Sequence, residues 1–142
     1  LGGMVFDAQG TEATGEELCR GLVWTYGITA ALKYSVGRTR PDGEDNLSFP
    51  SAHAAGASCT AAVLWSRHGS GVGIPAALAA FYTCISRVNL GRHFPSDVIA
   101  GAALGTACGL AASLEGDDAG NLDGFSLGLT INGDGRVFSV IW

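Results

Sequence analysis

Three short clusters stand out in this sequence of 142 residues because their side chains suit one kind of ligand. Lys33 is followed after six residues by Arg40-Pro41. Pro50-Ser51-Ala52-His53 reads as the opening of a helix, and Ser86-Arg87 is followed after five residues by His93 and after three more by Asp97. Arg40 and Arg87 can each present a planar fork to an oxyanion, and Lys33 adds a point charge. The helix beginning at Ser51 aims free N–H groups and the positive end of its dipole at the same place. A phosphoryl group in transfer spreads negative charge over its oxygens, and this set of donors stabilises that charge without a metal. The fitting nucleophile is a histidine, because a neutral imidazole can accept a phosphoryl group and no other nucleophile here has a matching neighbourhood. On residue chemistry alone, His53 and His93 compete for that role.

These clusters must be brought together by helices. Residues 1 to 15 are rich in Gly and Thr and read as loop or frayed helix, with Thr11 or Thr14 as an N-cap ahead of Glu16 and Glu17. A first helix is predicted from about Glu16 to Val36, with Leu22, Tyr26, Thr29 and Lys33 on its inward face. Pro41, Asp42 and Gly43 end that segment in an exposed acidic loop. A second helix starts at Pro50-Ser51, with Ser51 as cap or first-turn residue, and runs towards Arg67. Gly69, Gly71 and Gly73 break it before a third starts near Pro75. The third carries Leu78, Phe81, Tyr82 and Ile85 on one side and Ala76, Ala80, Thr83 and Arg87 on the other. A fourth runs from Pro95 to about Leu114, and its Gly101, Gly105 and Gly109 allow another helix to come close. The period then changes to two, and Asn132-Gly133-Asp134-Gly135 is a turn signal, so a β-hairpin is predicted over about 124–142. The expected architecture is a single mainly α domain, a helical core over about 16–114 with a short C-terminal hairpin. The start at Leu1 suggests that an upstream segment has been removed.

Composition narrows the partners. The formal net charge of −5 argues against nucleic acid, yet five of the eight basic residues, Lys33, Arg38, Arg40, Arg87 and Arg92, fall in or beside the clusters. Cys19, Cys59, Cys84 and Cys108 show no CxxC pair and no histidine at zinc spacing. A metal site is therefore not expected, and the four read as small buried hydrophobes, with a Cys19–Cys84 or Cys59–Cys108 disulfide left open. Hydrophobic residues make up 47% and charged residues 15% of the chain. The glycine series favours lipid and the Ala-rich, Ser- and Thr-dotted runs favour water, so composition leaves membrane association undecided. Oligomeric state is not legible.

The three clusters, in this order and spacing, resemble the signature blocks of the type 2 phosphatidic acid phosphatase family. That family includes soluble bacterial acid phosphatases, membrane lipid phosphatases and vanadium haloperoxidases. The resemblance covers residues 33–97 and does not extend to the hairpin. It implies a helical bundle of that kind, no cofactor, and a phosphate-ester or lipid-phosphate substrate. It also implies a site at the cell envelope, periplasmic or membrane-associated and facing away from the cytoplasm. It assigns His93 as nucleophile, Asp97 as the hydrogen-bond acceptor for its other ring nitrogen, and His53 as the acid that protonates the leaving group. Lys33, Arg40, Ser51, Ala52, His53 and Arg87 then form the phosphate cradle. One departure is Ala52, where the family usually has glycine; alanine keeps the backbone N–H. Vanadate-dependent halide oxidation and a non-catalytic phosphate-binding role are the alternatives. Taken singly, each residue has a plainer reading: Lys33 reaching for solvent, Arg40 or Arg87 pairing with Asp42 or Glu44, His93 satisfied in an interior. Arg38 and Arg92 adjoin the blocks and could steer substrate, whereas His68 lies outside every block and reads as solvated.

Overall fold

The structure, a computed structural model, describes residues 8–118, 130–131 and 137–138, with side chains described for 12–115. The chain is mainly helical: α1 (Ala8–Val36), α2 (Ala52–Asn89) and α3 (Pro95–Asp118) pack on one another. Four further residues form two short strands, β1 (Thr130–Ile131) and β2 (Val137–Phe138), paired antiparallel with Thr130 opposite Phe138; they do not establish the hairpin predicted over 124–142. The rest of that stretch lies outside the described residues.

Helix boundaries follow local chemistry, with two corrections. Helix α1 begins at Ala8 and not near Glu16, so Thr14 lies inside it and is buried, and Thr11 too is an interior position and not a cap. In α2 the break falls at Gly69, whose φ of 67° and ψ of −166° are open to glycine and costly for other residues. Helix resumes immediately afterwards, so Gly71, Gly73 and Pro75 belong to the second arm and do not precede it. Ala61 and Ala80, one from each arm, line the same two clefts, so the arms lie side by side and the chain reverses at Gly69.

Close packing of α3 on α2 rests on the predicted glycines. A Cβ added at Gly101 would overlap the carbonyl of Ser51, one at Gly105 that of Ala55, and one at Gly109 would lie 2.6 Å from the carbonyl oxygen of Cys59. On α1 the inward stripe differs from the expected one. Thr14, Glu17, Gly21, Thr25 and Thr29 are buried, whereas Tyr26 is about half exposed and Leu22 only partly covered. Thr29 lies inward as predicted, but Leu22 and Tyr26 are one position off the buried stripe, because large apolar residues were taken as inward markers. Here they point out: Val23, Trp24, Leu78, Phe81, Tyr82, Ile99 and Leu114 are all exposed, Trp24 by 62% and Phe81 by 64%. The interior is built from Ala54, Ala55, Gly56, Ser58, Cys59, Ala61 and Ala62. Small residues inside and large ones outside is the arrangement of helices packed in lipid, where close approach, and not burial of large side chains, drives association. Helix α2 and the Pro95–Glu115 stretch of α3 are also long and apolar enough to cross a membrane.

At the end of the bundle away from the clusters, a buried ion pair ties all three helices. Glu17 of α1 is 1% exposed and accepts Arg67 Nε at 2.7 Å and Arg67 NH2 in a bidentate pair, and NH2 also reaches the Ser113 carbonyl at 3.3 Å. His68 is not merely solvated, since its Nε2 lies 3.3 Å from Thr14 Oγ1. All four cysteines are free thiols, and Cys19 is exposed, contrary to the buried reading.

Two glycine substitutions should act with opposite sign. Gly105→Ala drives a methyl into the Ala55 backbone and should destabilise by at least the ~1–3 kcal/mol typical of overpacking. Gly15→Ala meets open space within α1 and should stabilise by up to ~1 kcal/mol. Thermal unfolding of the two variants beside the parent chain checks both signs.

Candidate active site

The last turn of α1, the start of α2, the end of its second arm and the start of α3 meet at one end of the bundle. Ser51 is the N-cap of α2: its backbone is extended, its hydroxyl accepts the Ala54 N–H at 3.4 Å, and it is fully buried. Its own N–H donates to the Asp97 carbonyl at 2.9 Å, joining the starts of α2 and α3. The N–H groups of Ala52 and His53, first and second in the helix, have no intrahelical acceptor and remain for a ligand. Asp97 is the third residue of α3, and its carboxylate reaches back to the Phe94 N–H at 3.0 Å, closing the first turn as a capping box does.

The basic residues of three segments lie near one another. His53 lies within electrostatic reach of Arg87, Arg40 and Lys33, and His93 within reach of Lys33, Arg40 and Asp97. Lys33 Nζ donates to the Leu47 carbonyl, and Arg40 Nε donates to Asp45 at 2.7 Å. Asp45 also takes the Leu47 N–H at 2.8 Å, so one short loop fixes both cations. The Arg40 hydrogen bond holds the Asp45 carboxyl below the usual carboxylate range. Asp42 and Glu44 pair with Arg92 and not with Arg40 or Arg87. Arg87 is different: its Nε is buried with no hydrogen-bond partner among the described residues. A buried guanidinium donor without an acceptor is costly, and an oxyanion at this position would satisfy it.

The expected bond between His93 and Asp97 is not made. His93 is 3% exposed, and its Nδ1 lies 2.8 Å from the main-chain carbonyl of Ser48 but 3.9 Å from Asp97 Oδ2. The reason is that His93 precedes α3, so its separation of four residues from Asp97 is not a helical one. Asp97, fully buried, takes the Ser48 hydroxyl on Oδ2 at 2.5 Å and Arg38 NH1 on Oδ1 at 2.7 Å. Arg38, left open by the sequence, also donates to Ser96 Oγ at 2.8 Å, with its guanidinium carbon 4.2 Å from the Phe94 ring centroid. Ser48 was missed altogether, and its signal, a main-chain acceptor, is not one that residue type carries.

Among the described residues no group of three or more His, Cys, Asp or Glu is placed to hold a metal ion. The arrangement offers instead a buried imidazole, a second imidazole, three cations and two free helix-start N–H groups, which together can bind a tetrahedral oxyanion and exchange a proton with it.

Comparison with known proteins identifies the family. The profile of the PAP2 superfamily matches residues 17–116, and the chain belongs to that superfamily. Lipid A 1-phosphatase of Porphyromonas gingivalis is 39% identical over 92 residues, which covers 63% of this chain and 21% of that protein. Decaprenylphosphoryl-5-phosphoribose phosphatase of Mycobacterium tuberculosis is 39% identical over 98 residues, 63% of this chain and 54% of the relative. Phosphatidylglycerophosphatase B of Bacillus subtilis is 37% identical over 93 residues, 55% and 46% respectively. The chain thus spans between about a fifth and about half of the length of these relatives. No solved structure matches it.

Burial pushes the His93 imidazole below the ordinary histidine value, and Lys33 and Arg40 act in the same direction, while the Ser48 carbonyl and Asp97 oppose it. The unfolded chain, titrating near ~6.5, therefore binds a proton before the folded chain does. The stability contributed by a neutral His93 should be present above that pH and decline as pH falls through it towards the folded value. An NMR titration placing His93 at or above the free-histidine value would contradict the geometry.

Proposed function

We propose that this chain is the catalytic part of a metal-independent phosphatase, hydrolysing a phosphomonoester or a lipid (di)phosphate through a phosphohistidine intermediate. The observation that carries the reading is the buried, unpartnered Nε of Arg87, in an electrostatic neighbourhood shared by Lys33, Arg40 and His53. Lys33, Arg40, Arg87, the Ser51 hydroxyl and the N–H groups of Ala52 and His53 hold the phosphoryl oxygens. Nε2 of neutral His93 attacks phosphorus, and the P–O bond to the leaving alcohol breaks as His53 donates its proton to that oxygen. His53, now neutral, takes a proton from water; the water oxygen attacks phosphorus, the P–N bond breaks, and inorganic phosphate leaves with His93 restored. The positive cradle stabilises the charge on the transferring group in both steps.

The names of the relatives, all phosphatases, favour hydrolysis over halide oxidation, and all three act by name on lipid-linked phosphates. A membrane-associated bundle of the cell envelope fits the outward apolar faces and the two membrane-length helices. So does an apolar cavity of about 380 Å³ between the arms of α2 and α3, lined by Ala62, Trp65, Phe81, Cys84 and Leu110. Cys84 also lines a second apolar cleft, which reaches Asn89 and Pro95, the residues that bound the loop carrying His93.

Purified protein should hydrolyse a chromogenic phosphate monoester in the presence of chelator. His93→Ala should lower kcat by roughly 10³-fold or more, as expected for loss of a covalent nucleophile. Vanadate should inhibit. A strict requirement for a divalent metal, or His93→Ala turning over like the parent, would sink the mechanism.

A further inference from the structure

Attack by His93 requires Nε2 to be free of a proton, and that condition is set at the opposite ring nitrogen. Nδ1 lies 2.8 Å from the Ser48 main-chain oxygen. A carbonyl can only accept, so the proton of the neutral ring sits on Nδ1 and the lone pair on Nε2. Asp97 is 3.9 Å from the same nitrogen, and its oxygens are engaged by Arg38, by the Ser48 hydroxyl and by the Phe94 N–H. The carbonyl that fixes the tautomer belongs to a residue held at every polar group it has. Ser48 N–H donates to the Arg38 carbonyl at 2.9 Å, its hydroxyl to Asp97 at 2.5 Å, and its carbonyl receives His93. Ser48 is itself fully buried. Arg38 grips the assembly twice, through its carbonyl on Ser48 and through its guanidinium on Asp97 and Ser96.

We propose that Ser48 is the positioning residue of the nucleophile, and that Asp97 acts on His93 through it, with Arg38 as the outer clamp. The inference rests on the reading of His93 as nucleophile. A direct carboxylate partner could swing with its own side chain. A main-chain acceptor moves only if the segment moves, and here that segment is pinned by a buried carboxylate at the start of α3. As phosphorylation turns His93 into an imidazolium, its Nδ1–H strengthens a bond to an oxygen already in place, so little reorganisation accompanies the developing charge.

The test is a double-mutant cycle read by steady-state kinetics on a chromogenic phosphate monoester. Ser48→Ala keeps the carbonyl and removes only the hydroxyl. It should lower kcat by about 10- to 100-fold, the range for losing an outer-shell partner of a functional histidine, and leave KM largely unchanged. Ser48→Thr, which restores a hydroxyl, should recover most of the loss. Because Asp97 works through Ser48, the Ser48→Ala/Asp97→Ala double variant should be no slower than Asp97→Ala alone, whereas independent action would multiply the two losses. In the unmodified protein, ¹⁵N NMR of labelled histidine, with His93 assigned by its absence from His93→Ala, should show the Nδ1–H tautomer; in Ser48→Ala the other tautomer should gain population. Multiplying losses, an unchanged kcat in Ser48→Ala, a lost kcat with an unchanged tautomer, or an Nε2–H tautomer in the unmodified protein would each overturn the proposal. The last is read on the unmodified protein, with a variant used only to assign the His93 signal. Full turnover by His93→Ala would instead remove the nucleophile reading itself, whatever Ser48 does.

Discussion

The carbonyl groups of Ser51, Ala55 and Cys59 lie so close to α3 that residues 101, 105 and 109 have no room for a side chain. This backbone contact is the constraint on which the site depends. Each glycine weakens α3 by roughly 1 kcal/mol relative to alanine, and the helix tolerates three of them because tertiary packing decides its stability. What the contact secures is the relation between two helix starts. With the α3 backbone against that of α2, Ser51 N–H reaches the Asp97 carbonyl, and the cap that aims the α2 N-terminus is joined to the turn that carries Asp97. Wider spacing would separate Ser51 and the start of α2 from Asp97 and the His93 loop.

Much of this was legible in the sequence, and what was not has identifiable causes. The three clusters, the glycine series and the cap at Ser51 depend on residue type and spacing, which a sequence displays directly. On the inward face of α1 Thr29 was placed correctly, but Leu22 and Tyr26 were taken as inward because they are apolar, whereas the rest of the interior is made of Thr14, Glu17, Gly21 and Thr25. The usual inference from apolar to buried fails when the interior is small and polar and the outer surface carries the bulk. The partner of His93 was misread for another reason. A carboxylate four residues away is visible in a sequence; a carbonyl forty-five residues away is not, since every residue has one. Arg67 and Glu17, fifty residues apart, carried no local signal either.

That buried ion pair sits oddly in so apolar a bundle. Two desolvated charges gain little net stability over an apolar pair of similar size, but removing one partner is costly, so the pair penalises any arrangement in which α1 and α2 fail to meet. It lies away from the phosphate cradle, on the far side of the small-residue seam. The two ends of the bundle are thus held by different means, hydrogen bonds between helix starts at one and a bidentate guanidinium–carboxylate contact at the other.

The reversal of α2 at Gly69 has a topological consequence. Because the chain turns back there, both ends of α2 open at the same level as the end of α1 and the start of α3. Each charged group of the cradle then belongs to one rim, while Gly69, Arg67 and Glu17 belong to the other. In a bilayer such a bundle would be one-sided, with its basic rim at a single face. The gathering of the basic residues at one rim is therefore written into the backbone of this fold, in the conformation of one glycine at the opposite rim.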